Sequence, residues 1–568
     1  MTNWLLAAEA DKIQDLVFRS SKLVQVVGGS SLLTRFCREV PHLILEHHLQ
    51  RVPTEDEIII ADGGSFRLVL DDEEKSVRAG LDLAESYYRA TGGSLTVADP
   101  RPFDDAGFET ANRAAEADLR TKKQDRRAAA SAEAAAHMPY VALCASCGVL
   151  LATNHAARHS GEVANYICDV CQVKAAERDL LQSQPRQERF LTLFFDTLKR
   201  FDSQDDLPWE RVPGLFPEDA NAVGSCDVRG TGHVAYLVAD GNSMGVLFSR
   251  CRSPRAMREL STALTAAMWQ ALAKASMRTC KQLWASGKAN GVPVLPLIVG
   301  GDDLFALLPV PYSLDFARQA CLAFEEAMRP HVQNHGLVKD SRELPALAAA
   351  VVICKANYPY ALAHRLGESL LGRAKRLSRA ANLRHGVNLS CVDLALVRGS
   401  DVQELDQLGA LGRTHVVPSA APYWASPGDL PSKAIEYALD LQELLDVRRD
   451  LNALPGKRRA ELRRLFWDRL PDEGAVGGRE TALADLRDRW ELELEALLQR
   501  IEPDPAGRPT LRGKLDLLGD PGGTHARWRR FGARPDQPVC HGLPDLLEAW
   551  DFGQDLNHGL GDYEEEGR

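Results

Sequence analysis

The chain has 568 residues, a net charge of −11, 45% hydrophobic and 26% charged residues. That length exceeds one hydrophobic core and predicts roughly three or four domains, while the composition excludes disorder and fibres. The acidity argues against a uniformly basic nucleic-acid binder and leaves room only for local basic faces. No apolar run is long enough to span a membrane, and the opening Met1–Glu9 is too short and wrongly charged for a secretory signal, so a cytoplasmic protein with no membrane partner is expected. Four of the 12 cysteines form two C-x-x-C pairs. The others are scattered, as reduced core thiols would be.

In chain order, residues 1–118 read as a first unit: an apolar strand at the N-terminus, a helical stretch, then strand, glycine turn and strand through Ile58–Ala61, Asp62-Gly63-Gly64-Ser65 and Phe66–Leu70. Residues 119–225 read as a helical linker. Its first helix, Leu119–His137, is basic at its start (Arg120, Lys122, Lys123, Arg126, Arg127), which suits a solvated face better than nucleic acid. Within this linker, residues 144–171 hold Cys144-Ala145-Ser146-Cys147 and Cys168-Asp169-Val170-Cys171. Two such knuckles complete a closed four-sulfur shell, which predicts a structural Zn²⁺ on Cys144, Cys147, Cys168 and Cys171. His155 and His159 read as surface residues beside it.

Residues 226–400 repeat the pattern of the first unit: strand His233–Ala239, helix Arg255–Ser286, hairpin Leu295–Val310, helix Leu314–Asn334, strand Leu347–Cys354, helix Tyr360–Ala380 and a strand near Val387–Cys391. Sliding the N-terminus along by 231 positions sets Leu6 on Leu237, Glu9 on Asp240, Ile13 on Met244 and Leu16 on Leu247, as an internal duplication would. The competing reading is that any two strand–helix–hairpin units look alike. The expected fold class is α+β, with two ferredoxin-like palm (nucleotidyl cyclase-like) domains, a four-cysteine zinc-knuckle insertion and a C-terminal helical domain. Residues 401–431 are expected as a Pro-rich linker, and 432–568 as the helical domain, with helices at 433–449, 457–469 and 481–501.

Gly300-Gly301-Asp302-Asp303 lifts two adjacent carboxylates onto the edge of the second sheet, and Asp240 ends the neighbouring strand. Like charges so placed repel unless a cation is shared, so Asp240, Asp302 and Asp303 are the candidate catalytic residues and ligands for Mg²⁺ or Mn²⁺. In the first copy the match of the glycine pairs sets Ser65-Phe66 against Asp302-Asp303, a degenerate site. The stretch Gly241-Asn242-Ser243-Met244-Gly245 reads as a turn whose N–H groups would hold a triphosphate. Gly300 and Gly301 shape the turn at the nucleotide. Lys375 would neutralise the same phosphates from the next helix, or else be a solvated helix lysine. These parts describe metal-dependent nucleotidyl transfer on ATP, with no separate side-chain base in evidence.

Taken together, Ile13-Gln14, Gly28-Gly29-Ser30-Ser31-Leu32-Leu33, the central knuckles, Ala239-Asp240-Gly241 with Met244-Gly245, and the Gly300–Asp303 hairpin resemble the large polymerase/cyclase-like subunit of type III CRISPR effector complexes. The resemblance implies a catalytic second palm paired with a degenerate first one, making cyclic oligoadenylates from ATP when a guide-RNA-bound complex captures target RNA. It also implies other type III effector subunits, guide RNA and target RNA as partners. Two departures stand out. The chain enters the first palm at once and has no His-Asp dipeptide, so the DNA-cutting HD nuclease of many members is not expected. Asn242 stands where relatives often carry another acid, which bears on metal count. The alternatives are a free-standing nucleotide cyclase and a catalytically silent RNA- and protein-binding scaffold.

Overall fold

The computed structural model describes residues 2–130, 142–156, 164–183, 190–202, 215–338, 343–397, 420–426 and 438–450, apart from residues 12, 19, 21, 22, 105 and 106. Farther on it describes short stretches, chiefly 529–530, 539–540 and 542–556. The helices expected at 457–469 and 481–501 lie largely or wholly outside the described residues, as does the part of the basic helix beyond residue 130.

The first unit runs β1 (Asn3–Asp11), α1 (Ile13–Phe18), α2 (Leu23–Leu49), β2 (Ile58–Asp62), β3 (Ser65–Leu70), α3 (Glu73–Thr91) and β4 (Ser94–Val97), with β5 (Arg101–Phe103) and α4 (Phe108–Ala130) after it. Its sheet order is β2-β3-β1-β4, every pair antiparallel. α3 is delimited by local chemistry: the Asp72 carboxylate accepts from Lys75 N–H at 2.9 Å, and Gly92 ends it in the left-handed region at φ 65°. α4 packs against β1, β4 and β5, so one helix crosses the boundary expected at residue 118.

Next come β6 (Asn154–Ala156), β7 (Asn165–Ile167), α5 (Asp169–Ser183), α6 (Phe190–Phe201) and α7 (Ala220–Gly224). The second unit follows as β8 (His233–Asn242), α8 (Met244–Ser249), α9 (Pro254–Ala285), β9 (Leu295–Gly300), β10 (Asp303–Pro309), α10 (Ser313–Asn334) and β11 (Ala346–Lys355). Its core order, β9-β10-β8-β11, is strand for strand that of the first unit, again antiparallel, with two helices between the first two strands in each. This is the ferredoxin-like palm arrangement built twice. β8 lies at the centre of its sheet and is buried from Val234 to Ala239, which is why it reads as a continuous apolar run instead of an alternation.

In the second unit, too, boundaries differ from the sequence expectation. β8 extends through Gly241 and Asn242, because Asn242 pairs with Ala346 on β11. The helix α11 (Tyr360–His385) runs past Ala380 to a cap at Gly386, and the strand expected at Val387–Cys391 is instead β12 (Cys391–Leu396), parallel to β11. Residues 423–424, expected within a linker, form β13 (Tyr423–Trp424) on the edge of the same sheet. Both rings of β13 are fully buried, so burial of aromatic area drives this addition.

The described C-terminal residues do not stand apart. The helix Leu441–Asp450 and the segment around Leu543–Glu548 share the core of the second palm, and Leu556 N–H donates to Asp315 of α10 at 2.8 Å. Asp545 accepts from the Ala420 and Ala421 N–H groups and from the Tyr423 hydroxyl.

α5 crosses α2 at the Gly28-Gly29 pair. A Cβ on Gly28 would fall 1.8 Å from the Lys174 carbonyl oxygen, so only glycine admits this crossing. The buried Lys174 ammonium donates to the Leu16 carbonyl, tying the helix to the first palm. Gly28→Val is therefore expected to lower stability by about 2 kcal/mol or more through overpacking, read as a fall in melting temperature relative to Val27→Ala, which only removes volume.

Candidate active site at the palm–palm junction

The antiparallel register of β8 and β10 sets Asp303 directly opposite Asp240. Opposed side chains on one face of a sheet lie within about 5.5 Å of each other, so the two carboxylates are neighbours by construction. Asp302 precedes Asp303 in the turn, and its carbonyl accepts from Gly241 N–H at 3.2 Å, closing the hairpin against the end of β8. Gly241 is needed there, since a Cβ would lie 3.1 Å from that of Asp302 and 2.6 Å from Met244 Cγ. The three predicted carboxylates thus meet at one edge of the second palm.

Burial and the neighbouring Asp240 push the Asp302 carboxyl up from 3.8 to about 6. Asp303 is raised well above its ordinary value by desolvation and by both other carboxylates, with a hydrogen bond to Asp240 favouring its protonated form. Lys375 Nζ lies 2.6 Å from Asp240 Oδ1, each side chain about a quarter exposed, at 32% and 21%. It is therefore part of the cluster and not a free helix lysine. Two turns earlier on the same face of α11, Glu368 adds a fourth acid, raised by burial, with Lys375 lowering and Asp240 raising it. Sequence reasoning passed over Glu368; its signal was the spacing of seven from Lys375, which puts both on one helix face. One lysine against four acids is a site short of positive charge. Oxygen donors in this number fit a hard divalent cation such as Mg²⁺ or Mn²⁺.

The glycines of the hairpin divide their work. Gly301 has φ 59° and makes the turn. Gly300 is where the first palm touches: a Cβ there would be 3.0 Å from Gly63 Cα, and one on Gly63 would be 3.1 Å from the Gly300 carbonyl carbon. The two palms meet hairpin to hairpin. Ser30 of α2 donates to the Leu297 carbonyl of β9, and Phe18 of α1 packs edge-on against Phe305 at 5.2 Å and against His364 at 4.5 Å. His364, enclosed between these rings, is held neutral, its pKa lowered to about 4 by burial.

Two clefts flank the junction. One of about 660 Å³ is lined by Gln14, Ser30, Thr34, Asp303, His364 and Glu368 among apolar neighbours. The other, about 910 Å³, lies between Gly245, Gly301 and Asp302 of the second palm and Glu9, Ser65, Arg67 and Arg120 of the first. Ser243, at φ 65°, swings the chain from β8 into α8, and Met244 is buried while Gly245 leaves open space in this second cleft. Asn242 is buried on the strand, and among the described residues no hydrogen-bond partner reaches its Nδ2.

In the first palm, the strand register corrects the equivalence drawn from the glycine pairs. Ser65 lies opposite Glu9 as Asp303 lies opposite Asp240, so Gly64-Ser65, not Ser65-Phe66, takes the place of Asp302-Asp303. Glu9 is paired with Arg67 at 3.1 Å and with Lys123 at 2.9 Å. Against the cost of burial, these cations hold its carboxyl below the ordinary range. The first palm thus fills its own counterpart of the site with basic side chains. Much of the basic helix start is consumed likewise, Lys122 on Asp99 at 2.6 Å and on Asp118 at 3.1 Å.

The Sγ atoms of Cys144, Cys147, Cys168 and Cys171 all lie within 4.8 Å of one another, Cys147 to Cys168 at 3.9 Å. Thiolates on a tetrahedral zinc stand about 3.8 Å apart, so the set fits that ion. The first knuckle is shaped by Gly148 at φ 66° and by Gly148 N–H to the Cys144 carbonyl at 2.8 Å. Desolvation alone would raise Cys144, but backbone contacts at Cys147, Cys168 and Ser146 bring it down to about 7. Ser20 Oγ, 3.8 Å from Cys171 Sγ, and Ser146, which donates to Gln25, join the cluster to the first palm. His155 stacks on Tyr166 at 4.6 Å and is not in the cluster; His159 lies outside the described residues.

Fold and site define a double-palm protein of nucleotidyl cyclase-like architecture. A family model, Cas10/Cmr2 second palm domain, matches residues 233–382, a run that includes Asp240, the Gly300–Asp303 hairpin, Glu368 and Lys375. Over those residues the chain is similar to that domain. No curated protein matches it significantly. Among solved structures it is similar to a Csm1–Csm4 cassette in complex with pppApA (14% identity, TM-score 0.46, 97% of this chain and 69% of that one). A Csm1–Csm4 cassette in complex with cA4 is similar at 15% identity and TM-score 0.40, over 87% and 70%. Csm1 in T. onnurineus is similar at 14% and 0.43, over 97% and 70%. Among the described residues no helix is long and apolar enough to cross a membrane.

Two outcomes follow from these groups. A raised carboxyl costs the fold stability as pH climbs from its unfolded value near 3.8 toward about 6, and the cost persists above. Asp302→Asn is therefore expected to stabilise the protein in EDTA near neutral pH by about 1–3 kcal/mol, with no gain below about pH 4; thermal melts across that range check it. Changing Cys144 and Cys147 to Ser is expected to release about one equivalent of zinc and lower the melting temperature, as elemental analysis and calorimetry of the purified chain would register.

Proposed function

We propose that this protein is the large subunit of an RNA-guided type III CRISPR antiviral effector that uses metal-dependent nucleotidyl transfer on ATP to make cyclic oligoadenylates when target RNA binds. The observation that carries the reading is the cross-strand pairing of Asp240 with Asp303, with Asp302, Glu368 and Lys375 gathered around it. Four acids sharing one lysine are a poor arrangement for stability and a good one for divalent cations.

Asp240, Asp302 and Asp303 would hold Mg²⁺ or Mn²⁺, which supply activation of the attacking 3′-hydroxyl and stabilisation of the leaving pyrophosphate. Lys375 sits within reach of Asp240 in the free protein. With cations on the carboxylates its ammonium is available to the triphosphate, and its long stem allows that shift. The backbone of Gly241 to Gly245 divides: Gly241 N–H is used on Asp302 and Asn242 is strand. Ser243, Met244 and Gly245 are the part of that stretch assigned to the phosphates. Asn242 keeps a neutral amide where an acid would add charge, so the cation load rests on Asp240, Asp302 and Asp303. Gly300 and Gly301 hold the turn beside the nucleotide.

The acceptor nucleotide is assigned to the larger cleft, where the first palm offers Ser65, Arg67 and Arg120 opposite Asp302. The first palm, its acid already neutralised by Arg67 and Lys123, would bind without catalysing. Other type III subunits, the guide RNA and the target RNA complete the proposed assembly, and the absence of a His-Asp dipeptide argues against HD-type DNA cleavage by the sequence given.

Labelled ATP with Mn²⁺ and the RNA-bound assembly tests this reading. A ring of several adenylates formed only with target RNA is expected. A small cyclic product made constitutively by the chain alone would point to a free-standing cyclase, and no product under any condition to a silent scaffold. Asp302→Ala with Asp303→Ala is expected to remove product by at least about a hundredfold while assembly is unchanged by size-exclusion chromatography.

A further inference from the structure

We propose that Asp62, at the tip of the first palm's hairpin, is a positioning residue for the carboxylate turn of the second palm. The inference rests on the nucleotidyl-transfer reading above and extends it to a residue that touches none of the reacting groups. Asp62 ends β2 beside Gly63, the residue whose backbone meets Gly300. One carboxylate oxygen, Oδ2, accepts from the Thr265 hydroxyl of α9 at 2.5 Å and faces the Gly301 N–H at 3.4 Å. The other, Oδ1, accepts from Gly63 N–H at 2.9 Å. A single side chain of the first palm therefore grips a helix and the catalytic hairpin of the second.

Its place explains why such a grip is needed. Asp302 and Asp303 stand on the turn between β9 and β10 with Asp240 opposite, so the backbone of that turn sets where their carboxylates lie. Gly300 and Gly301 have no side chains with which to brace it. Tip-to-tip contact with Gly63 limits movement in one direction, and the Asp62 carboxylate supplies an acceptor to the one residue of the turn in the left-handed region. Asp62 also lines both clefts, the one that holds Asp303 and the one that holds Asp302, so the wall between them depends on it.

Among the described residues the donors to Asp62 are neutral: a hydroxyl and two backbone N–H groups. Its role accordingly needs acceptor oxygens and not a charge, which separates it from a metal ligand. An asparagine at this position still presents one oxygen to Thr265 and Gly301. Loss of a residue that orients metal ligands from behind typically costs tenfold to a hundredfold in metal affinity.

The experiment compares the wild-type full chain with Asp62→Ala, Asp62→Asn and Thr265→Val. It uses Mn²⁺ binding in the presence of ATP by electron paramagnetic resonance, and hydrogen exchange of peptides across residues 297–304 in metal-free protein. Asp62→Ala is expected to weaken Mn²⁺ binding about tenfold and to speed exchange across the hairpin, with zinc-knuckle peptides unchanged. Asp62→Asn stays within about threefold of wild type, and Thr265→Val falls between the two. Should Asp62→Ala fold poorly, the milder Thr265→Val carries the same comparison. Binding and exchange at wild-type levels in both Asp62→Ala and Thr265→Val would overturn the proposal, as would an Asp62→Asn variant as defective as alanine, which would mark a charge-dependent ligand. If the wild-type chain itself binds no Mn²⁺ with ATP, the nucleotidyl-transfer reading fails and this proposal with it; a wild type that binds beside an unaffected Asp62→Ala sinks only the role of Asp62.

Discussion

Repulsion among Asp240, Asp302 and Asp303 is the constraint around which the rest of this protein is arranged. Asp240 and Asp303 on adjacent strands and Asp302 in the turn, with Glu368 close behind, gather around the ammonium of Lys375. A fold that tolerates them must hold the turn rigidly without help from the turn's own side chains. The second palm does so with a central strand buried from Val234 to Ala239 and a register fixed over seven residue pairs from Asp303 down to Pro309. Beside the end of this strand, desolvation raises the carboxyls of Asp302 and Asp303.

The first palm shows what becomes of the same framework when that charge problem is removed. Glu9 keeps the place of Asp240, but Gly64 and Ser65 carry no charge and Arg67 and Lys123 neutralise what remains. This unit serves as a wall and a brace: its glycine hairpin abuts Gly300, its helices α1 and α2 supply Phe18 and Ser30 to the junction, and its Arg67 and Arg120 face the larger cleft. Two copies of one topology thus divide the labour, one bearing the unstable charges and the other the contacts that restrain them.

The cysteine unit belongs to this scheme as a strut. In it Ile167, Leu150 and Val170 form a small cluster with four sulfurs that fit one zinc ion. Through α5 it presses on α2 at Gly28, and through Ser20, Gln25 and Lys174 it is bonded to the first palm. Since α2 also donates to β9 through Ser30, the cysteine knuckles lie within one packed path of the Gly300–Asp303 hairpin.

Much of this was written in the sequence because it depends on local pattern. Paired C-x-x-C spacing, the alternation and runs of apolar residues, and a glycine turn bearing two acids each follow from chemistry between near neighbours, and they located both palms, the knuckles and Asp240, Asp302 and Asp303. What needed the tertiary structure was whatever depends on which strands lie side by side. Register alone showed that Gly64-Ser65 replaces the acids and that Asn242 is strand and not turn; packing alone brought Glu368 to the site, Lys123 to Glu9, Tyr423 and Trp424 into the sheet, and Asp62 against Gly301. A sequence sets the donors, acceptors and charges a chain possesses, but their partners across long separations are decided only when helices and sheets close on one another, because hydrogen bonds act only near about 3 Å and exposed charges are screened beyond about 10 Å.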